Sequence, residues 1–210
     1  MKYVAFDIGN VLVYANFNDF LRKLSKSLNI TIEEAMYFMN RSQKLHDLGL
    51  TNMSDELRDH FKLKSPVLIE ELITQWNEVI RPADFLLERI DKLEKEHKLK
   101  IALVSNVGLE HAAQMKKVLG YSTFFDKAIK FFSCDVGARK PTLLYYHTFL
   151  KLHPEFWGCP YIDDLQENLD VGASFGLNPY RFSLEELTND DNWEEKVSKL
   201  EAFILNQHDV

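Results

Sequence analysis

The chain has 210 residues, 46% of them apolar, 12% aromatic and 27% charged, with 8 glycines and 6 prolines. This is the composition of one large globular domain, or of a domain with a sizeable insertion, and it excludes a disordered, collagenous or low-complexity chain. The 25 basic and 32 acidic residues leave a formal charge of −7 without a basic stripe, which argues against nucleic acid as a partner.

No run of about 18 apolar residues occurs, so no membrane span is expected. The opening MKYVAFDIGN reaches an acid before any long apolar segment, so no export signal is read either and a soluble cytoplasmic protein is predicted. Tyr3, Val4, Ala5 and Phe6 precede Asp7, Ile8, Gly9 and Asn10, which predicts a buried strand entering a turn with Asp7 at its carboxyl end. Phe17, Phe20, Leu21, Leu24 and Leu28 recur at helical spacing, and Thr31 followed by Glu34 resembles a capping box, so two helices are expected there. Gly49 and Asn52 mark a turn, Ser54 is read as opening a short helix, and Ser65-Pro66 as opening another through Leu72 and Trp76. Between Asn16 and Val79 no strand is expected.

From Pro82 the pattern alternates. A helix is expected over 82–97, a strand over 100–104 ending at Ser105 and Asn106, and a helix over 108–119. A strand over 128–132, a helix over 141–152 and a strand at Tyr161-Ile162 ending in Asp163 and Asp164 follow. A helix over 165–175 and a short strand over 179–182 complete the alternation. The tail from Ser183 to Gln207 is expected to hold a helix with Trp193, Val197, Leu200 and Phe203 at core spacing. This order predicts an α/β fold, a Rossmann-like parallel sheet with helices on both faces.

In such sheets ligands bind outside the carboxyl ends of the strands. Asp7, Ser105-Asn106 and Asp163-Asp164 end three strands there, and Lys140 lies in the loop GARKP before a helix. An acid, a hydroxyl, a lysine and an acid pair suit phosphoryl transfer. Asp7 would attack phosphorus and share Mg²⁺ with Asp164, while Lys140 and the Ser105 hydroxyl offset charge on the phosphoryl group. Cys134 and Cys159 lack a CxxC partner and are read as buried reduced thiols. The 7 histidines show no HxxxH or HExxH spacing, which gives a zinc hydrolase no support, and His46 is read as structural.

FDIGNVLV around Asp7, LVSN around Ser105, GARKP around Lys140 and YIDDLQENL around Asp163 and Asp164 resemble, in order, the four motifs of the haloacid dehalogenase (HAD) superfamily. The resemblance covers nearly the whole chain and is to the branch with a helical cap after the first strand. It implies a HAD-like core of residues 1–15 and 80–210 and an α-helical cap of residues 16–79. LHDLGLTNMSDEL is similar to a cap segment of small-metabolite phosphatases, including the sugar-phosphate and glucose-1-phosphate type. A Mg²⁺-dependent phosphomonoester hydrolase acting on a small phosphorylated metabolite, such as a sugar phosphate, is therefore implied, working through an aspartyl-phosphate on Asp7. By the same resemblance Asp7, Ser105 and Lys140 are catalytic, and Asp7, Asp164 and the Gly9 carbonyl hold the metal. Ser105, Asn106 and Lys140 bind the phosphate, and Asp163 orients Lys140 or its neighbour from behind.

The sequence departs from that pattern at Gly9, where most phosphatases of the superfamily carry an acid/base Asp. A missing acid/base typically costs about 10²–10⁴ in rate. The following segment offers Tyr14, Asn16 and Asn18 but no acid before Asp19. A slow enzyme is expected, one that favours good leaving groups and accumulates its phospho-Asp7 intermediate. Two other readings stay open, a non-catalytic binding or regulatory protein of the same fold and a metal-independent 2-haloacid dehalogenase; Asp163-Asp164 weighs against the latter. Arg139, beside Lys140, is read either as a phosphate contact or as a solvent-facing charge.

Overall fold

The computed structural model describes residues 2–187 and 192–206. The chain opens with β1 (Tyr3–Phe6) and β2 (Val13–Ala15). It then runs through α1 (Phe17–Leu28), α2 (Ile32–Asp47), α3 (Met53–Phe61) and α4 (Pro66–Asn77) before β3 (Ile80–Pro82). It continues as α5 (Asp84–His97), β4 (Lys100–Ser105), α6 (Leu109–Leu119), α7 (Thr123–Lys127), β5 (Ile129–Phe132) and α8 (Ser133–Val136). Then come α9 (Leu143–Leu152), a 3-10 turn at Pro154–Phe156, β6 (Pro160–Asp163), α10 (Gln166–Ser174), β7 (Asn178–Arg181) and α11 (Trp193–Leu205). Within the predicted tail, residues 188–191 and 207 lie outside the described residues.

Five strands form a parallel sheet in the order β5-β4-β1-β6-β7. Side chains alternate between its faces with the period of two that a strand imposes. Val4, Phe6, Ile101, Leu103 and Ile162 join one apolar cluster with α5, α6 and α11, whereas Ala5, Ala102, Val104 and Tyr161 join a second with α9 and α10. The predicted α/β architecture with helices on both faces is therefore present. The chain order reverses around β1, flanked by β4 and β6, which is where an open sheet leaves a crevice at its carboxyl edge.

Four well-capped helices fill the span between β2 and β3. Asn16, Thr31, Asn52 and Ser65 each accept a backbone N–H in the first turn, Thr31 and Glu34 complete a capping box, and Pro66 sits at the first helical position. Asn52, rather than Ser54, caps α3. Phe20, Leu24, Phe38, Met53 and Trp76 share one contiguous apolar cluster with the sheet, so the insertion packs onto the core it interrupts.

No strand falls between Asn16 and Val79, as expected, but the structure adds elements on either side of that span. A short antiparallel ribbon pairs Val13 with Pro82, Tyr14 with Arg81 and Ala15 with Ile80. Three-residue strands give too little alternation to be seen along a chain, and their pairing joins segments on either side of four helices. The helix expected from Pro82 accordingly starts at Asp84. The short helices α7 and α8 were also unforeseen. Among the described residues no helix is long and apolar enough to cross a membrane.

Candidate active site

Asp7 leaves the end of β1 with its amide donating to the Ile162 carbonyl at 2.8 Å, which ties it to β6. The chain then turns tightly, with the amides of Val11, Leu12 and Val13 all directed at the Ile8 carbonyl. Asn10 holds a left-handed φ of 53° and accepts the Ala15 amide at 3.2 Å, a conformation its short polar side chain tolerates. The Gly9 carbonyl accepts no hydrogen bond among the described residues. A Cβ placed on Gly9 would meet only the Ala15 Cβ, at 3.9 Å.

Three further elements deliver their side chains to the same point. The Ser105 side chain, buried at the end of β4, lies beside Asp7 and lowers its carboxyl pKa. The Lys140 Nζ, 1% exposed, lies 2.6 Å from Asp163 Oδ2 and 3.0 Å from Asp7 Oδ1. The approach to Asp7 is off the hydrogen-bonding direction, so Asp7 Oδ1 is buried with an ionic neighbour and no hydrogen bond. Asn106 grips the lysine loop at both ends of its carboxamide, Oδ1 accepting the Lys140 amide at 2.7 Å and Nδ2 donating to the Lys140 carbonyl at 2.9 Å.

The two acids after β6 differ in environment. Asp163 is fully buried and its oxygens are engaged: Oδ2 accepts from Lys140 and from the Tyr161 hydroxyl at 2.6 Å, and Oδ1 from the Leu165 amide at 3.0 Å and Asn168 Nδ2 at 2.9 Å. Asp164 is more open, and the neighbouring Asn10 side chain lowers its carboxyl pKa slightly. One oxygen from each of Asp7, Asp163 and Asp164 lies within 4.8 Å of the others.

Burial dominates the electrostatics. It pushes the Asp7 carboxyl up to about 7; Lys140 and Ser105 pull it down, and Asp163 and Asp164 push it further up. Burial and Asp163 likewise raise Asp164. For Lys140 burial favours the neutral amine, but Asp163 and Asp7 outweigh it and hold the ammonium form. Three carboxylates thus face one buried cation. An Asp7 oxygen without a hydrogen bond, a second carboxylate at Asp164 and an unused carbonyl at Gly9 are hard oxygen donors of the kind Mg²⁺ takes, so the residues fit such an ion.

The expected residues therefore converge, and several unexpected ones support them. Tyr161 and Asn168 both bind Asp163. Tyr161 lies two residues before it on β6, hence on the same face, and Asn168 is five residues after it on α10. That spacing is a usable signal. Asp47 at the end of α2 pairs with Arg139 at 3.0 Å, so Arg139 neither faces solvent freely nor touches the acid cluster. His46 is buried on Glu110 at 2.9 Å, in the structural role expected of it. Cys159 is buried as expected, but Cys134 is only half-buried because α8 leaves it at the surface of a single turn. Burial raises the thiols to about 11 for Cys134 and about 12 for Cys159, which keeps both protonated. Beside Asn10 a cavity of about 610 Å³ opens, lined by Tyr14, Asn16, Asn18, Arg22 and Arg81.

No family model and no curated protein matches the chain. Solved structures do. A HAD-family enzyme from Bacteroides thetaiotaomicron superposes with a TM-score of 0.75 at 19% identity, covering 93% of this chain and 98% of the other. The wild-type form of that enzyme in complex with magnesium and inorganic phosphate gives a TM-score of 0.72 at 18% identity over the same shares. A predicted HAD-like hydrolase from Porphyromonas gingivalis gives 0.74 at 17% identity over 99% of both chains. A dehalogenase with its intermediate gives 0.64 at 15% identity, over 99% of this chain and 98% of the other. The fold is that of HAD-family enzymes.

Proposed function

We propose that this protein is a magnesium-dependent phosphatase of a small phosphorylated metabolite, with Asp7 as nucleophile and the four-helix insertion as a cap over the substrate. The observation that carries the reading is the buried Asp7 oxygen that has no hydrogen bond, set between Asp163 and Asp164 and beside the Lys140 ammonium. An ionised carboxylate in that position is expensive unless more positive charge arrives; the acids suit a divalent cation, and the lysine with that cation suits a phosphoryl group. The magnesium and phosphate held by a protein of the same fold support it.

In this scheme an Asp7 oxygen forms a bond to phosphorus as the bond from phosphorus to the ester oxygen breaks, and water then hydrolyses the acyl phosphate to return Asp7 and inorganic phosphate. Bound by Asp7, Asp164 and the Gly9 carbonyl, Mg²⁺ would supply the positive charge that lets a carboxylate approach a phosphate dianion. Lys140 and the Ser105 hydroxyl neutralise and orient the phosphoryl oxygens. Asp163, whose oxygens are already engaged, fixes Lys140. Gly9 gives the departing oxygen no acid, so it must take its proton from water, and good leaving groups are favoured. A hydroxylated leaving group such as a sugar would find asparagine, tyrosine and arginine side chains in the cavity beside Asn10.

The test is turnover of p-nitrophenyl phosphate with Mg²⁺, with EDTA, and by Asp7→Asn. Mg²⁺-dependent release of nitrophenol that disappears in the variant supports the reading, with a pre-steady-state burst marking the slow second step. Chelator-insensitive halide release from a 2-haloacid would replace it with the dehalogenase reading. Phosphate binding without turnover of any ester would leave a binding protein, the reading that Gly9 keeps open.

A further inference from the structure

Asp47 ends α2 and reaches, from the insertion, the loop that carries Lys140, yet the chemistry above does not use it. Its carboxylate, 4% exposed, takes Arg139 Nη2 at 3.0 Å, and among the described residues it is the only polar partner of that guanidinium, whose buried Nε has none. Its carbonyl, one of the orphan acceptors at a helix C-terminus, takes the Ser133 hydroxyl at 2.6 Å. The same hydroxyl accepts the Val107 amide at 2.9 Å. Val107 follows Asn106, which is hydrogen-bonded twice to the Lys140 backbone, and Lys140 follows Arg139. These links close a ring from Asp47 through Ser133, Val107, Asn106, Lys140 and Arg139 back to Asp47.

The backbone beside the ring is shaped for this contact. Gly49, two residues past Asp47, has a φ of +67°, and a Cβ there would stand 2.7 Å from the Cys134 carbonyl oxygen. Only glycine lets the end of α2 lie so close to α8.

We propose that Asp47 is a positioning residue, closing a hydrogen-bonded ring that fixes Asn106 and Lys140 in register with Asp7 only while the cap is seated. The inference rests on the phosphatase reading and deepens it: covering the substrate and completing the phosphate-binding lysine loop are one event. An unseated cap takes the Asp47 carboxylate from Arg139 and leaves the loop that carries Lys140 held by Asn106 and Asp163 without the brace from α2. Contacts that hold a reacting group in place act on the rate more than on affinity for a small probe.

The experiment compares Asp47→Asn, Asp47→Glu, Arg139→Gln, Ser133→Ala and the double variant Asp47→Asn with Arg139→Gln, all with p-nitrophenyl phosphate and Mg²⁺. Asp47→Asn keeps shape and carbonyl but loses the charge. Its kcat is expected to fall about tenfold or more while KM changes less than about twofold, with the melting temperature nearly unmoved. Asp47→Glu should recover part of the loss, and the double variant should be no slower than the slower of its two single variants, because both changes break one link. Ser133→Ala breaks the ring at its other end and should repeat the kcat effect, which keeps the test decisive if Asp47→Asn does not fold. Unchanged kcat in Asp47→Asn and Ser133→Ala, or losses that add in the double variant, would overturn the proposal. A wild-type protein that does not turn over p-nitrophenyl phosphate takes down the phosphatase reading instead, and the proposal with it.

Discussion

Asp7 is placed where its ionised form is least comfortable without company, since burial pushes its carboxyl up to about 7 against an ordinary 3.8. The folded, metal-free protein therefore holds a proton that the unfolded chain releases above pH 3.8. Stability from this source is complete below that pH and is lost as pH rises through about 7. His111, buried against Trp76 and held neutral by a value lowered to about 3, works in the opposite sense, so the comparison that isolates Asp7 is with its own variant. In EDTA, melting temperature should decline from mildly acid to neutral pH less steeply in Asp7→Asn than in the wild type. Gly9 is the other informative residue. A Cβ there finds only the Ala15 Cβ at 3.9 Å, so Gly9→Asp should fold. It should speed hydrolysis of simple alkyl phosphates by up to about 10²-fold and do less for aryl phosphates, read as the ratio of kcat/KM between the two. An equal gain on both would remove leaving-group protonation as the deficit.

At the scale of elements, the insertion is fastened to the core by buried polar contacts as well as by apolar packing. His46 on α2 and the Met53 amide of α3 share Glu110 Oε2 on α6, at 2.9 and 2.8 Å, and the Trp76 carbonyl of α4 receives His111 at 3.1 Å, with the two rings stacked 4.1 Å apart. The His46 ring fits because Gly108 has no side chain; a Cβ there would stand 2.0 Å from the ring. Gly108→Ala should therefore displace α2, cost about 1–3 kcal/mol of stability and expose the insertion to limited proteolysis, with a changed Trp76 fluorescence reporting the lost stacking. The helices of the insertion and the main strands were readable because caps and apolar periodicity are local. The ribbon of β2 and β3 was not, since each strand is three residues long and its partner lies beyond four helices.

For the whole molecule, the charge of the site sets the response to metal. Three carboxylates with one lysine leave the crevice negative, so Mg²⁺ should raise the melting temperature, more at neutral than at acid pH, and the Asp7→Asn protein should respond less. An equal shift in both proteins would place the binding elsewhere. The sequence by itself determined the alternation of helices and strands, and with it that Asp7, Ser105 and Asp163-Asp164 stand at the ends of strands, because hydrophobic period and strand termini are properties of short stretches. It also carried the four motif segments in order. Only the tertiary structure decided that Asp163 is saturated by Lys140, Tyr161, Leu165 and Asn168 while Asp7 keeps an oxygen without a hydrogen bond, and that Asp47 meets Arg139 across 92 positions of chain. Which lone pairs are spent depends on the directions in which distant segments approach, and no local pattern encodes those directions.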